Sequence, residues 1–169
     1  MRAQKILPRC LLLLLCAAFP AMADESAFLQ SLAGKWSGKG TVITRIGRPA
    51  INVNCRLVST ADDTSVEMKA TCRGLLVVSR TISAALDVNA GRYIGIYIGP
   101  TGRRSTLSGS RQGDSINLAV RWSRLVNGDR SAQMMIQKIG NNGLRLRTVD
   151  KDLSTGKDIA TSDIVLQRS

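Results

Sequence analysis

The sequence contains no histidine and few aromatic residues: two Trp, two Tyr and two Phe among 169 residues. Histidine is the usual base beside a serine or cysteine nucleophile and a frequent zinc ligand, so its absence argues against those hydrolase and zinc sites. Scarce aromatics argue against a stacking surface for single-stranded nucleic acid. No phosphate-binding loop, dinucleotide fingerprint or Gly-x-Ser-x-Gly elbow is present.

A pair of catalytic carboxylates would have to come from Glu67, Asp87 or Asp114, and no motif in the sequence sets these apart. We therefore expect a protein that is not an enzyme. We also expect no catalytic residues, no metal, no cofactor and no nucleic-acid partner.

Long hydrophobic runs are missing after the first 23 residues. Residues 1–23 combine a cationic head, an apolar core at 6–19 and an Ala21-Met22-Ala23 end, which is the pattern of a secretory signal peptide. The core is shorter than the ~20 residues that a membrane-spanning helix needs. We expect cleavage before Asp24, secretion (into the periplasm if the source is a Gram-negative bacterium), and no transmembrane anchor in the mature chain. An uncleaved anchor is the alternative.

Acidic residues are outnumbered. The chain has 24 Lys and Arg against 12 Asp and Glu, a formal net charge of +12, and cleavage after Ala23 would remove three basic residues and leave +9. This excess favours a small amphipathic anion or an anionic envelope component as partner, with solubility alone as the alternative. Residues 24–169 are long enough for a single domain, which we expect to be monomeric.

Helical periodicity is almost absent beyond a short amphipathic stretch at 25–32. The rest of the chain alternates short β-prone runs with turn residues, which predicts an all-β fold. The runs are 36–45, 51–60, 65–73, 75–87, 92–98, 103–111, 115–122, 131–139, 143–150 and 159–168. We expect an antiparallel meander of eight to ten strands, closed as a β-barrel and preceded by a short helix, with another barrel or a sandwich as the alternative.

Two cysteines lie in the predicted signal peptide, which leaves Cys55 and Cys72. A four-residue loop at 62–65 places Ala61 opposite Val66 and therefore Cys55 opposite Cys72, on a face that is otherwise apolar. Because register and polarity agree, we expect a structural disulfide rather than a redox-active pair. In the chain-entropy picture such a crosslink contributes on the order of 3 kcal/mol.

Arg80 is the candidate ligand-binding residue. Strict alternation with Val78 and Ile82 places it on the inward, apolar face of its strand. An inward guanidinium needs a partner, for example a ligand carboxylate or phosphate. A bulge that turns Arg80 outward and an internal aspartate are the alternatives. Tyr93 and Tyr97, on a neighbouring run, would add hydroxyl donors to the same site.

Gly34-Lys35-Trp36, directly after the short helix, resembles the Gly-x-Trp signature of the lipocalin and fatty-acid-binding (calycin) barrels. The resemblance implies that Trp36 closes one end of the barrel and packs against an arginine late in the last strand, where Arg168 stands. The longer stretch from Gly34 to Gly40 is also similar to the nitrobindin-type haem barrels. Those barrels hold iron through a histidine, so we expect no haem here.

A weaker similarity is to the small bacterial periplasmic inhibitors of metalloproteases, which are Gly-x-Trp barrels with an early disulfide and insert their N-terminus into the protease. The leading hypothesis is an exported binding protein for an amphipathic, lipid-like or fatty-acid-like anion. The alternatives are a protease inhibitor that acts through residues 24–31 and an envelope protein that binds polyanions through its basic outer surface.

Overall fold

The structure, a computed structural model, describes residues 21–75 and 78–169, and of residues 21–23 only the backbone. It contains one helix and ten strands, bounded as follows: α1 Ala21–Leu32, β1 Gly34–Val42, β2 Ile51–Ala61, β3 Ser65–Gly74, β4 Val78–Asn89, β5 Arg92–Ile98, β6 Arg104–Gln112, β7 Ser115–Val126, β8 Asp129–Ile139, β9 Gly143–Lys151 and β10 Asp158–Arg168. Residues 1–20 of the expected signal peptide lie outside the described residues, as do Leu76 and Val77 of the run at 75–87.

The expected fold class is confirmed. Each strand pairs with the next along the chain, and β1 pairs with β10, so the antiparallel meander closes into a ten-stranded barrel. Because β1 and β10 pair with each other, neither is left as an edge strand in the part of the chain that the structure describes. Within the described residues no helix is long and apolar enough to cross a membrane.

The β2–β3 hairpin has the expected register. Ala61 lies opposite Val66 and Cys55 opposite Cys72, and the two cysteines form a disulfide. The inward positions of β2 from Val53 to Ser59 are buried, whereas their outward neighbours are exposed. The alternation of apolar and polar residues in the sequence therefore corresponds to one strand face in the core and one in solvent.

The barrel has two different ends. We call the end covered by α1 the closed end, where the turns at 62–64, 90–91, 113–114 and 140–142 lie. The opposite end, with the loops at 43–50, 99–103, 127–128 and 152–157, is the open end. Within the described residues, helix α1 includes residues 21–24 in addition to the expected 25–32. It buries Phe28, Leu29 and Leu32.

Trp36 and Arg168 meet under the helix at the closed end. They are paired across β1 and β10, and the Arg168 guanidinium lies 4.2 Å from the centre of the Trp36 ring. Arg168 also donates hydrogen bonds to the carbonyl oxygens of Ala33 (2.7 Å) and Ser31 (2.8 Å). A side chain at Gly34 would collide with this guanidinium, so the glycine of the Gly-x-Trp motif makes room for the arginine.

Gly95 lies inside β5 rather than in a phosphate-binding turn. A Cβ at this position would collide with the backbone oxygen of Ala85 on β4. The glycine is needed because the backbones of β4 and β5 approach closely at this position.

Candidate functional site

The barrel is packed in one half and hollow in the other. Near the closed end the interior is filled by side chains that are at most 2% exposed, among them Trp36, Leu57, Leu86, Tyr93, Ile116, Ile136, Leu144 and Leu166. Towards the open end a cavity of about 470 Å³ remains. This volume lies within the range of about 300–1,000 Å³ that is usual for small-ligand sites.

The cavity wall is mainly aliphatic. It is lined by residues from most of the strands, including Val42, Ile51, Val53, Met68, Ala70, Ile82, Ala84, Val126, Met134, Leu146 and Ile164. The disulfide contributes as well, since Cys72 borders the same space. Apolar surface of this kind favours an apolar ligand segment, such as an acyl chain, over water.

Arg80 lies on the inward face of β4 at the mouth of this cavity. It is opposite Cys72 of the disulfide in the β3–β4 register, and it lines the cavity together with Val78 and Ile82. The side chain is exposed, so solvent at the mouth reaches the guanidinium. Its hydrogen bond in the described residues goes to the neighbouring carbonyl of Ser79 at 3.4 Å, and none of the ion pairs there includes it. The guanidinium therefore keeps most of its donors for an incoming anion.

Tyr97 forms part of the cavity wall beside Trp122. The two rings make an edge-on contact with their centres 5.9 Å apart, and both residues line the cavity. Burial raises the pKa of Tyr97 to about 12, so the phenol stays protonated at neutral pH. It can therefore act as a neutral hydrogen-bond donor towards a ligand.

Tyr93 does not belong to this cavity, although it shares a strand face with Tyr97. It is completely buried at the closed end, where its hydroxyl donates a hydrogen bond to the carboxylate of Glu25 of α1. Burial and this bond to a carboxylate raise the pKa of Tyr93. Tyr93 thus holds the helix on the barrel, and the structure separates it from Arg80 and Tyr97.

The segment 24–31, which the inhibitor hypothesis requires, is docked on the closed end as part of α1. Arg111 donates to both carboxylate oxygens of Glu25 at 3.1 Å, forms an ion pair with Asp24, and stacks 4.7 Å from the Phe28 ring centre. Insertion of this segment into a protease would require these contacts to break.

Asp150 is a polar group of the cavity that the sequence reasoning missed. It is 3% exposed, and its carboxylate accepts hydrogen bonds from Trp122 Nε1 (3.4 Å) and from the hydroxyl of Thr161. Alternation from the inward Leu144 and Leu146 along β9 reaches Asp150 and could have identified it.

Arg80 and Asp150 face the cavity from opposite walls. They belong to β4 and β9, which are separated by four strands in either direction around the barrel. Within the described residues no ion pair joins them. The two groups therefore provide an exposed donor site on one wall and a buried acceptor site on the opposite wall.

The β1–β2 loop at 43–50 covers part of the mouth. The Ile43 N–H donates to the carbonyl of Thr161 at 2.8 Å, and the Ile46 N–H donates to Asn127 Oδ1 in the β7–β8 turn at 3.0 Å. Because β10, β9 and β8 lie between β1 and β7, the loop crosses the open end above those three strands.

Comparison with protein-family models and with curated proteins gives no match. Among solved structures, the chain is similar to the crystal structure of Rv2717c from M. tuberculosis, with a TM-score of 0.65 and 15% sequence identity. The similarity covers 83% of this chain and 94% of that chain. At this low identity the likeness concerns the fold alone: the chain is a closed ten-stranded antiparallel β-barrel.

Proposed function

We propose that the protein is a non-enzymatic binding protein for a small amphipathic anion, such as a fatty acid or another single-chain lipid. The observation that carries this proposal is the half-empty barrel: an aliphatic cavity of about 470 Å³ with the exposed cationic Arg80 at its entrance. The acyl segment would occupy the cavity, and the anionic head would bind Arg80 through charge-assisted hydrogen bonds. Tyr97, on the cavity wall, would donate a further hydrogen bond.

Calycin-like identity belongs to the same proposal. Its support is the Gly34-Lys35-Trp36 motif with Arg168 packed on the Trp36 ring at 4.2 Å. Export of the mature chain is also proposed, and its support is the signal-like pattern of residues 1–23.

The experiment uses the fluorescent amphipathic anion 8-anilinonaphthalene-1-sulfonate, displaced by dodecanoate or by neutral dodecanol. Two matched variants test whether the probe occupies the cavity. Ala84 lines the cavity, whereas Ala85 on the same strand points outward and is exposed. Ala84→Phe should abolish saturable binding, and Ala85→Phe should leave it unchanged.

Two further variants test the anion contact. Arg80→Ala should weaken dodecanoate binding about tenfold and should barely change dodecanol binding. The expected loss is at the low end for a charged hydrogen bond because Arg80 is exposed to solvent. Arg56→Ala, an exposed arginine in the middle of β2, is the charge-matched control. Equal binding to wild type and Ala84→Phe would refute the cavity as the site. Equal losses in Arg80→Ala and Arg56→Ala would refute the role of Arg80.

A further inference from the structure

The charge of the protein is concentrated at the open end of the barrel. We define the basic rim as the Lys and Arg residues of segments 43–50, 73–75, 78–80, 99–104, 121–130 and 150–158. It consists of eleven exposed residues: Arg45, Arg48, Arg73, Arg80, Arg103, Arg104, Arg121, Arg124, Arg130, Lys151 and Lys157. The same segments contain four acidic residues, Asp129, Asp150, Asp152 and Asp158, so their net charge is +7.

The closed end has no such excess. Segments 24–35, 61–69, 86–93, 110–116, 137–145 and 166–169 contain seven basic and seven acidic residues, a net charge of zero. Of the basic rim, only Lys151 makes an ion pair within the described residues, with Asp158 at 3.6 Å. The molecule is therefore strongly polarised along the barrel axis, with its positive end around the cavity mouth.

Exposed apolar side chains lie among these charges. Leu75, Leu125 and Leu153 are 65%, 66% and 55% exposed, and each lies at a different loop or strand end of the open end. Leu75 also borders the cavity mouth, and Leu153 contacts the β7–β8 turn at Gly128. We call these three residues the apolar tips.

We propose that the open end docks on an anionic lipid bilayer, with the basic rim on the headgroups and the apolar tips in the interfacial layer. Basic residues are attracted to the negative surface potential of such a bilayer, and apolar side chains gain by leaving water beside them. A soluble polyanion would satisfy the basic rim but would leave the apolar tips in water, so the observations favour the bilayer. Docking would bring the cavity mouth to the membrane, so that the bilayer could supply the ligand. Only this last step rests on the proposed function.

The test is co-sedimentation of the full mature chain with phosphatidylcholine vesicles, with and without phosphatidylglycerol. Binding should require phosphatidylglycerol and weaken as salt is added. Arg121→Glu with Arg124→Glu should reduce binding by at least about fivefold for each arginine lost. The matched control, Arg92→Glu with Lys138→Glu, makes the same change in charge at the closed end and should bind like wild type.

The apolar tips distinguish a bilayer from a soluble polyanion. Leu125→Ser with Leu153→Ser should weaken vesicle binding and leave heparin binding unchanged. Ile94→Ser with Ile139→Ser, which are 55% and 45% exposed away from the open end, should affect neither. The docking proposal would be overturned if the leucine variant bound vesicles like wild type. It would also be overturned if the charge-reversal variants of the open end and of the closed end lost vesicle binding equally.

The Ala84→Phe variant separates this inference from the proposed function. A protein with a filled cavity should still sediment with anionic vesicles, since docking uses only the rim and the tips. Loss of probe binding with docking retained would leave the docking surface standing. Retained probe binding without any vesicle binding would refute docking and leave the cavity proposal intact.

Discussion

Replacement of Trp36 by alanine tests the closed end of the barrel most directly. The indole is 1% exposed, its Nε1–H donates to the carbonyl of Leu32 at 3.1 Å, and Arg168 lies on its face. Trp36→Ala therefore removes a core side chain, a hydrogen bond that holds the end of α1, and the surface against which Arg168 is positioned.

The expected loss can be estimated from these three contributions. Truncating a buried tryptophan to alanine costs about 3–5 kcal/mol, depending on how far the cavity collapses. The hydrogen bond to Leu32 adds about 1 kcal/mol, and the cation–π contact about 0.5–1 kcal/mol. Because the contributions overlap, we expect a decrease of about 4 kcal/mol in the free energy of unfolding.

The measurement is urea unfolding followed by far-UV circular dichroism, with Trp122 fluorescence as a second probe that survives the substitution. The control is Val165→Ala on β10, where the side chain is 43% exposed and little change is expected. A midpoint of Trp36→Ala equal to that of wild type, with an unchanged slope, would refute the view that this indole seals the barrel.

Two further predictions concern the crosslink and the pH dependence of stability. Intact-mass spectrometry of exported protein should show a start at Asp24 and no free thiol, and Cys55→Ser with Cys72→Ser should lower the free energy of unfolding by about 3 kcal/mol. A titratable thiol in the native protein would contradict this. Arg145 donates hydrogen bonds to the Asp163 carboxylate at 2.8 and 2.5 Å and holds the pKa of Asp163 below its ordinary 3.8. The ion pair therefore stabilises the fold above pH 3.8, and this stabilisation is lost as the pH falls through the lowered pKa. Because the pair is partly exposed, Asp163→Asn should lower the free energy of unfolding in urea by about 1 kcal/mol at neutral pH and leave it unchanged in acid. An equal loss at both pH values would contradict a stabilising role of the Arg145–Asp163 ion pair.

The fold could be predicted well because two independent signals coincide along the chain. Turn residues mark the strand ends, and period-two polarity marks the inward faces, so the register of Cys55 and Cys72 followed from local information. The departures include β7, which runs to Val126 rather than to 122, and β1, which ends at Val42 rather than at 45. There the chain leaves the sheet to reach Asn127, a contact across 81 residues that local patterns do not contain.

The site was only partly predictable because alternation specifies a face but not a height along the barrel axis. Tyr93 and Tyr97 share an inward face, yet four residues of strand, about 13 Å, separate them. Which of the two borders empty space depends on where α1 packs, and that is a tertiary property. Asp150 was missed for a different reason, since aspartates near strand ends are usually turn formers, whereas this one accepts hydrogen bonds from Trp122 and Thr161.

The seam between β1 and β10 has a consequence for the order of folding. It joins the first strand to the last, and the Arg168 contact with Ala33 spans 135 residues. A chain still being synthesised lacks β10, so its wall stays open and Trp36 stays uncovered by Arg168. The entropic cost of bringing β1 and β10 together is offset only when β10 is present to pair. Closure of the barrel is therefore a late step in folding. The complete barrel therefore cannot form until β10 is available to pair with both β1 and β9.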